Sequence, residues 1–460
     1  MITLFRTDKK YTFTELRTKV RDLIRSLPRN VSFIGDPIKV LRYEFLCEPI
    51  VPLIWLHNQK AKEKIFWSNR DASFAVAGIG VADSISGHEK RDFQDVFARM
   101  EDRFSADNPK LRYYGGFSFD HLITDPVWKK LSSYYFVIPR FEFYQKGEEF
   151  SFVLNIALKD ICEEKINQIL DEFEKIDFSL ETTFRNIPQI LSRADFPNQK
   201  SWQDIFAQAN KVENKIEKVV LARKSEFEFD VNIRPSALIK HLKDKTPQCY
   251  HFCFQVDKYL AFLGASPERL YFRKENFIES EAIAGTVARG KNTTVDTELA
   301  EELKESTKNI LEHRFVVEAI EQALAPLCKE INKDQQASIL KLKEAQHLLT
   351  RFTGILDQKV TNAQILAALH PTPAVAGTPS QKAIQLIKNL EPFDRGWYAA
   401  PVGYVGYEHC EFAVGIRSGM VNQNVLSLFA GAGIVEGSTA LGEWDEIENK
   451  ISRFMKVFQS

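Results

Sequence analysis

The chain has 460 residues, of which 27% are charged and 44% hydrophobic, and its formal net charge is −1. This length allows a large core or two domains, and the composition is ordinary for a soluble globular protein. The balanced charge gives no field that would attract nucleic acid or an anionic membrane surface. No stretch of about 18 apolar residues and no apolar leader segment occurs, so we expect a cytoplasmic enzyme with neither nucleic-acid nor membrane partners.

Residues 1–195 are predicted to form an α+β scaffold. Strand-like runs (VSFIGD, AVAGIGVAD, YYFVIPRFEFY and FSFVLNIAL) alternate with helical patterns at 11–27 and 160–176. Glycines inside FAVAGIGVAD and LRYYGGFSFD indicate strand bends or close backbone packing. They fit neither the GxGxxG pattern nor a phosphate-binding P-loop, so we assign no chemistry to this part.

A polar stretch, SRADFPNQKS (192–201), is the best candidate for a join between two parts of the chain. After it, the patterns predict a helix at 201–217, the strand KVVLARKSEFEF and the strand CYHFCFQV. Further predicted elements are helices at 298–324 and 332–350, a strand at 352–358, a helix at 380–390, strands at 402–417 and 424–430, and a final helix.

The six cysteines are scattered, and the segment QCYHFCFQV is the one place where they suggest a metal site. In a strand, Cys249, His251 and Cys253 share one face, and aromatic residues occupy the other. That pattern is typical of a strand between two packed layers, so we predict a buried strand without zinc. Reduced, buried thiols fit the cytosol.

Two residues are candidates for proton transfer. Lys218 begins the strand KVVLAR, where alternation places its amine beside the small apolar residues Val220 and Ala222. A desolvated lysine has a lowered pKa and acts as a base, whereas a lysine at a strand end that reaches solvent would not. Glu268, in GASPERL, follows a turn between two strands; it is either an acid facing a cleft or an exposed turn residue.

Other residues are suited to binding carboxylates. Gly285 and Thr286, in EAIAGTVARG, offer backbone N–H groups and a hydroxyl, and Arg417 ends an apolar strand, where it has room for a bidentate grip. His370 and the small-residue stretch around Gly431 complete this set, because glycines allow a ligand to approach the backbone closely.

The last helix and the long helix before it carry carboxylates that are candidates for binding a cation. Glu443, Glu446 and Lys450 share one face of the final helix, next to the glycine-rich strand FAGAGIV. Glu312 is predicted near the edge of the buried face of its helix, where a cation shared with Glu446 would compensate its charge. Ordinary ion pairs, such as Glu446 with Lys450, are the alternative.

Eight motifs occur in the same order as in chorismate-utilising enzymes, and the chain resembles the isochorismate synthases of that family, strongly over 200–460. These motifs are KVVLAR, GASPERL, AIAGT, Lys308-x-x-x-Glu312-His313, HPTPAVAG, EPFDRGWYAAPVGYVG, AVGIR and FAGAGIV…LGEWDE. The resemblance implies an α+β fold of two packed halves around a central cleft, each half with a large, mainly antiparallel sheet and outer helices. It also implies one intertwined domain, made of an N-terminal part (1–195) and a catalytic core (196–460).

The resemblance further implies Mg²⁺ as cofactor and chorismate as substrate. Lys218 matches the base that activates water for attack at C2, and Glu268 matches the acid that protonates the departing C4 hydroxyl. Glu312 and Glu446 match Mg²⁺ ligands, and Glu443 is expected to act through water. Residues matching the grip on the substrate are Gly285, Thr286, His370, Arg417, Gly431 and Lys450.

Lys218 also indicates which nucleophile the expected reaction uses. The ammonia-using members of the family lack a lysine at this position, so the resemblance implies water as the nucleophile and no obligatory glutamine amidotransferase subunit. Ala284 stands where the aminodeoxychorismate type has a lysine. Asn309 stands where the family usually has aspartate, which changes a charge near the expected metal.

The expected product is isochorismate, for menaquinone or a catechol siderophore. Salicylate synthase and a non-catalytic chorismate-binding relative remain as alternatives.

Overall fold

The computed structural model describes residues 6–28, 39–88, 92–120, 123–158, 161–179, 181, 188–211 and 216–458. Among these residues, no helix is both long and apolar enough to cross a membrane. The predicted run VSFIGD (31–36) lies outside the described residues.

The strands of the N-terminal part are β1 (Arg6–Tyr11), β2 (Val40–Cys47), β3 (Lys64–Ser68), β4 (Phe74–Gly87), β5 (Arg112–Phe117), β6 (Tyr134–Lys146), β7 (Glu149–Ala157) and β8 (Ile190–Phe196). The remaining strands are β9 (Lys218–Phe229), β10 (Tyr250–Asp257), β11 (Leu260–Ser266), β12 (Arg269–Lys274), β13 (Phe277–Ala288), β14 (Cys328–Lys333), β15 (Ser338–Lys341), β16 (Ala345–Leu356), β17 (Gly377–Thr378), β18 (Pro401–Gly406), β19 (His409–Val414), β20 (Ser418–Asn422) and β21 (Val425–Ile434).

The helices are α1 (Phe13–Ser26), α2 (Pro52–Asn58), α3 (Phe93–Glu101), α4 (Pro126–Lys129), α5 (Glu163–Glu174), α6 (Gln199–Ala209), α7 (Pro235–Lys245), α8 (Thr293–Glu305), α9 (Thr307–Leu324), α10 (Asn362–Leu369), α11 (Ser380–Leu390) and α12 (Ala440–Met455). A short 3-10 turn, Lys456–Phe458, follows α12. Local sequence explains the final helix: Thr439 caps its first turn through the Gly442 N–H, and Ile447, Ile451 and Phe454 form its buried stripe.

Two large sheets share the paired strands β4 and β6. One end of β6 (Phe141–Lys146) pairs with β7, and the other end (Tyr134–Val137) pairs with β5, so two sheets diverge from one strand. The first sheet runs β1-β2-β7-β6-β4-β3-β10-β11-β20-β21-β9-β8, and the second continues β6-β5-β18-β19-β12-β13-β16. In the described part of the chain, every strand pair except β1–β2 is antiparallel, which confirms the predicted α+β architecture.

Strands from before and after residue 195 pair with each other in both sheets. β3 pairs with β10 in the first sheet, and β5 pairs with β18 in the second. The polar stretch at 192–201 is not a loose linker: its first half belongs to β8, which pairs with β9, and its second half begins α6. The division of the chain into an N-terminal part (1–195) and a catalytic core (196–460) therefore stays a prediction from the sequence.

The helix predicted at 332–350 is wrong, because this segment forms the end of β14, all of β15 and the first half of β16. Its lysines, leucines and alanines favour a helix locally. However, β16 pairs with β13 along its whole length and with β14 and β15 on its other edge. Continuous burial of Ala345–Thr350 removes the alternation that would have indicated a strand.

The helix predicted at 298–324 is broken in two at Ser306. This residue has an extended backbone, and its side chain accepts the Asn309 N–H, so it ends α8 and caps α9. Ile310 lies on the exposed face of α9. The core-facing residues of α9 are instead His313, Phe315, Val316, Ile320 and Leu324.

Two other predictions concern glycines and cysteines. The strand glycines do allow close packing and bends: a Cβ on Gly115 would overlap the backbone of Tyr135, and Gly80, with a φ of +63°, precedes the bulge between Val81 and Asp83 in β4. Four of the six free cysteines are buried, whereas Cys162 is exposed and Cys328 is half-buried. The strand β10 confirms the interpretation of CYHFCFQV as a buried strand.

The chain crosses between the two sheets at two points that matter for the site. Residues 267–268 join β11 of the first sheet to β12 of the second. Residues 415–417 return the chain from β19 of the second sheet to β20 of the first. Side chains at both crossings therefore lie between the sheets, and there they meet α9 and α12.

Candidate active site

A cavity of about 140 Å³ lies where the crossings, the two sheets and the helices α9 and α12 meet. Nine of the residues predicted from the sequence line it, namely Lys218, Glu268, Gly285, Thr286, Glu312, Arg417, Gly431, Glu446 and Lys450. These side chains are separated by up to about two hundred positions in the sequence, and the fold brings them together.

Lys218 and Glu312 form the first pair in the cavity. Lys218, the first residue of β9, is buried, and its Nζ lies 3.5 Å from Glu312 Oε1. The neighbouring strand β21 leaves room for both, because a Cβ on Gly433 would overlap the Glu312 carboxylate and lie 3.0 Å from Lys218 Cε. The amine is thus held in an apolar wall beside a carboxylate, not in solvent.

Glu268 is a buried acid at the first crossing between the sheets. Only 3% of the residue is exposed, and its backbone N–H donates to Ser266 Oγ at 3.2 Å. Burial, followed by the charge of Glu281, raises the pKa of Glu268 to about 8, although Lys218, Arg417 and Lys450 pull it down. The carboxyl group is therefore protonated at neutral pH, which is the state that a general acid needs.

Arg417, His347 and the bulge at Gly285 form one wall of the cavity. Arg417 has a φ of +49° in the second crossing and donates to His347 Nε2 at 2.9 Å. Because Nε2 accepts this bond, Nδ1 carries the imidazole proton, and it donates to the Gly285 carbonyl at 3.1 Å. Burial and the Arg417 charge lower the pKa of His347 to about 3, so the ring stays neutral and holds the guanidinium in place.

Three lysines neutralise the carboxylates on the side of the cavity formed by α9 and α12. Lys450 Nζ lies 2.7 Å from Glu446 Oε1 and donates to the Gly431 carbonyl at 2.9 Å. Glu443, which is buried and is not among the residues that line the cavity, pairs with Lys308 at 2.7 Å. Lys450, above all, lowers the pKa of Glu446, so that this carboxylate is ionised.

These carboxylates fit an oxygen-binding cation by their chemistry. In the described residues, no group of three His, Cys, Asp or Glu side chains is placed to hold a metal ion. Glu312, Glu443 and Glu446 are each paired with a lysine. However, Glu443 Oε2 is a buried acceptor without a hydrogen-bond partner. A buried, unsatisfied carboxylate oxygen costs free energy and is the kind of atom that a hard cation or its water would satisfy.

Comparison with known proteins identifies the family to which this chain belongs. A model of the chorismate-binding enzyme family matches residues 36–459. The chain belongs to the chorismate-binding enzymes.

Individual relatives of this chorismate-binding enzyme cover most of its length. It is 34% identical to the chloroplastic isochorismate synthase of Catharanthus roseus over 413 residues, which are 86% of this chain and 70% of that protein. It is 31% identical to the isochorismate synthase MenF of Bacillus subtilis over 440 residues, 90% of this chain and 92% of that protein. The solved structure of MenF, the menaquinone-specific isochorismate synthase of Escherichia coli, has a TM-score of 0.86 and 28% identity, covering 97% of this chain and 99% of that one.

The position of His370 differs from the expectation. His370 ends α10 and packs edge-on against Phe119, with ring centroids 5.9 Å apart, and it is not among the described residues that line the cavity. Its loop reaches the cavity through Ala374 and Val375 instead. A role of His370 in holding the substrate stays a prediction.

Sequence reasoning missed His347 and Tyr398, which lie in the cavity wall. His347 was hidden because its segment has a helical pattern. Tyr398 also lines the cavity, and burial raises the pKa of its hydroxyl, which stays protonated and available as a donor. Its neighbours in GWYAAPVG are apolar or small, so no local pattern marks this tyrosine as a polar site residue.

The close approach at Gly433 provides a test of the site geometry. We expect Gly433→Ala to displace the Glu312 carboxylate and the Lys218 stem, because both are the movable atoms next to the new methyl group. A misplacement of about 1 Å costs ~10²-fold in turnover, whereas the fold should tolerate the shift of a flexible side chain. Steady-state kinetics and thermal unfolding would measure the two effects.

Ser427→Ala, on the same strand but outside the cavity lining, is the matched control and should leave turnover unchanged. Wild-type turnover in Gly433→Ala would contradict the proposed crowding of Glu312 and Lys218.

Proposed function

We propose that this protein is an isochorismate synthase, an isomerase that adds water at C2 of chorismate and releases the C4 hydroxyl. The observation that carries the proposal is the coexistence of buried Lys218 and protonated Glu268 in one cavity. Exchange of one ring hydroxyl for another needs a base for the incoming water and an acid for the leaving group. A protein that only binds chorismate needs neither.

The proton balance assigns a role to each group. Lys218 takes a proton from the water that forms the new C2–O bond. The two ring double bonds shift as the C4–O bond breaks, and Glu268 donates its proton to the leaving hydroxyl. One proton is taken up and one is released, so the sum is an isomerisation that needs no oxidant or reductant.

The remaining wall of the cavity supplies cations and hydrogen-bond donors that can bind a dianion. Arg417 and Lys450 are cations with donors directed at the cavity, and Thr286 adds a hydroxyl. His347 and Tyr398 support this grip, because one positions the Arg417 guanidinium and the other keeps its phenol proton. Both carboxylates of chorismate would thus find charge-assisted hydrogen bonds.

Mg²⁺ is part of the proposal. Glu312 and Glu446 would hold the ion, and Glu443, with its unsatisfied Oε2, would act through a water molecule. When bound, the ion would neutralise negative charge on the ring carboxylate. The residues' own part is to supply three carboxylates, whose oxygens are the ligands that a hard cation prefers. The six free cysteines support the cytoplasm as the proposed compartment.

The product distinguishes the proposal from its alternatives. With chorismate and Mg²⁺, the purified protein should form isochorismate reversibly, as followed by liquid chromatography, without releasing pyruvate in a lactate dehydrogenase assay. Equimolar pyruvate and salicylate would make it a salicylate synthase, and absence of turnover would make it a non-catalytic binder. Formation of an aminated product with ammonium would show that water is not the nucleophile.

The roles of Lys218 as base and Glu268 as acid are tested by substitution and by the pH dependence of turnover. Lys218→Ala and Glu268→Gln should each lower kcat by ~10²-fold or more. Lys224→Ala, on the same strand but paired with Glu226 outside the cavity, is the control and should retain activity. Because the acid must be protonated and the pKa of Glu268 is raised to about 8, kcat should fall as the pH rises above about 8. Near-normal turnover of Lys218→Ala would refute its role.

Metal dependence is tested on α12 and α9. Glu312→Gln and Glu446→Gln should each raise the Mg²⁺ concentration at half-maximal activity by about 10-fold or more, and Glu443→Gln should do less. Asp445→Asn, an exposed neighbour on α12, loses the same charge and should leave the titration unchanged. If Glu446 were only a surface partner of Lys450, Glu446→Gln would cost at most ~0.5 kcal/mol of stability and leave metal dependence intact.

A further inference from the structure

A second cavity, of about 290 Å³, adjoins the active site. The two cavities share Thr286, His347, Arg417, Lys450 and Phe454 as lining residues, so the Arg417–His347 pair stands between them. The second cavity lies among β16, the end of α7 and the end of α12. None of the roles assigned above uses its outer part.

The lining of this cavity is strongly basic. Its cations are Lys245, Lys343, Arg417, Lys450, Arg453 and Lys456. The one acid in the lining, Glu344, is already paired with Lys456 at 3.0 Å. In the part of the chain that the structure describes, neither Lys343 nor Arg417 nor Arg453 forms an ion pair. For a chain with a formal net charge of −1, this is a marked local excess of positive charge.

The unpaired cations also act on each other. Burial first, and then the nearby charge of Arg453, lower the pKa of Arg417. Cys249, Glu268 and Glu344 act in the opposite direction but do not cancel this lowering. Like charges at close range destabilise the folded protein unless an anion offsets them. Such an arrangement is therefore costly without a ligand and is relieved by an anionic one.

The shape of the lining indicates which anion fits. Apolar groups from Leu342, Ala345, Phe454 and Val457 form the buried walls. Lys343 and Lys456 are exposed at the outer rim, whereas Arg417 lies at the inner wall. A small organic anion with an apolar ring matches this combination better than a fully hydrated inorganic ion.

We propose that this basic cavity is an antechamber, which draws dianionic chorismate from solvent and passes it to Arg417 at the active site. The inference rests on the proposed function for the identity of the anion. Lys343 and Arg453 are positioning residues in this scheme, because they contact the substrate on its way and leave the reacting atoms to the active site. They raise the local concentration of the substrate by their charge.

The test uses charge reversal in the full-length protein. Lys343→Glu and Arg453→Glu should raise the KM for chorismate ~10-fold at about 20 mM salt and leave kcat unchanged, and the effect should shrink at about 300 mM salt. Lys359→Glu makes the same change in net charge at an exposed position beyond the far end of β16, outside the lining of both cavities, and should behave like the wild type. Arg453→Gln, with thermal unfolding of every variant, separates loss of charge from loss of folding.

The outcomes keep the two proposals apart. A KM in Lys343→Glu and Arg453→Glu equal to that of Lys359→Glu, or a rise that is the same at both salt concentrations, would overturn the antechamber. Absence of isochorismate formation by the wild type would instead refute the proposed function. In that case calorimetric titration with chorismate decides: weaker binding by the two reversal variants supports the antechamber, and equal binding overturns it.

Discussion

The passage of the chain between two sheets is the constraint on which the site depends. β11 and β12 belong to different sheets, and so do β19 and β20, so the short segments between them must lie in the gap. Glu268 and Arg417 occupy these segments. The same placement that buries Glu268, and so raises its pKa, also orients it toward the cavity. Arg417 adopts a left-handed backbone there, a strain that the surrounding packing must sustain and that is typical of functional positions.

Charge neutralisation is the second organising feature. Lys218, Lys308 and Lys450 pair with Glu312, Glu443 and Glu446, so the acidic side of the cavity carries no net charge from these six groups. A dianionic substrate together with a divalent cation would also add no net charge. The net charge on this side of the cavity would therefore be the same with and without the proposed ligands, although the partners of each lysine and glutamate would change. On the opposite side, the basic cavity has no such balance, which is why we assign it a role in attracting an anion.

Local sequence patterns were sufficient for much of the site. The alternation in KVVLAR places Lys218 on the inner face of a strand, the turn in GASPERL places Glu268 between strands, and the spacing along α12 aligns Glu446 with Lys450. Family resemblance supplied the order of the motifs and the architecture. These features are short-range: they depend on strand alternation, helical periodicity and turns, which a few neighbouring residues determine.

Tertiary structure decided the rest. His347 lies in the site because its segment, which favours a helix locally, forms the strand β16 and pairs with β13 and β15. This pairing with other strands outweighs the local helix propensity. In the same way, the position of Tyr398 in the site and the formation of the basic cavity depend on contacts between segments that are distant in the sequence. The sequence by itself determined which groups carry the proposed chemistry and on which elements they lie. Only the packed structure determined their ionisation, because burial and neighbouring charges set a pKa, and both arise from residues that are remote along the chain.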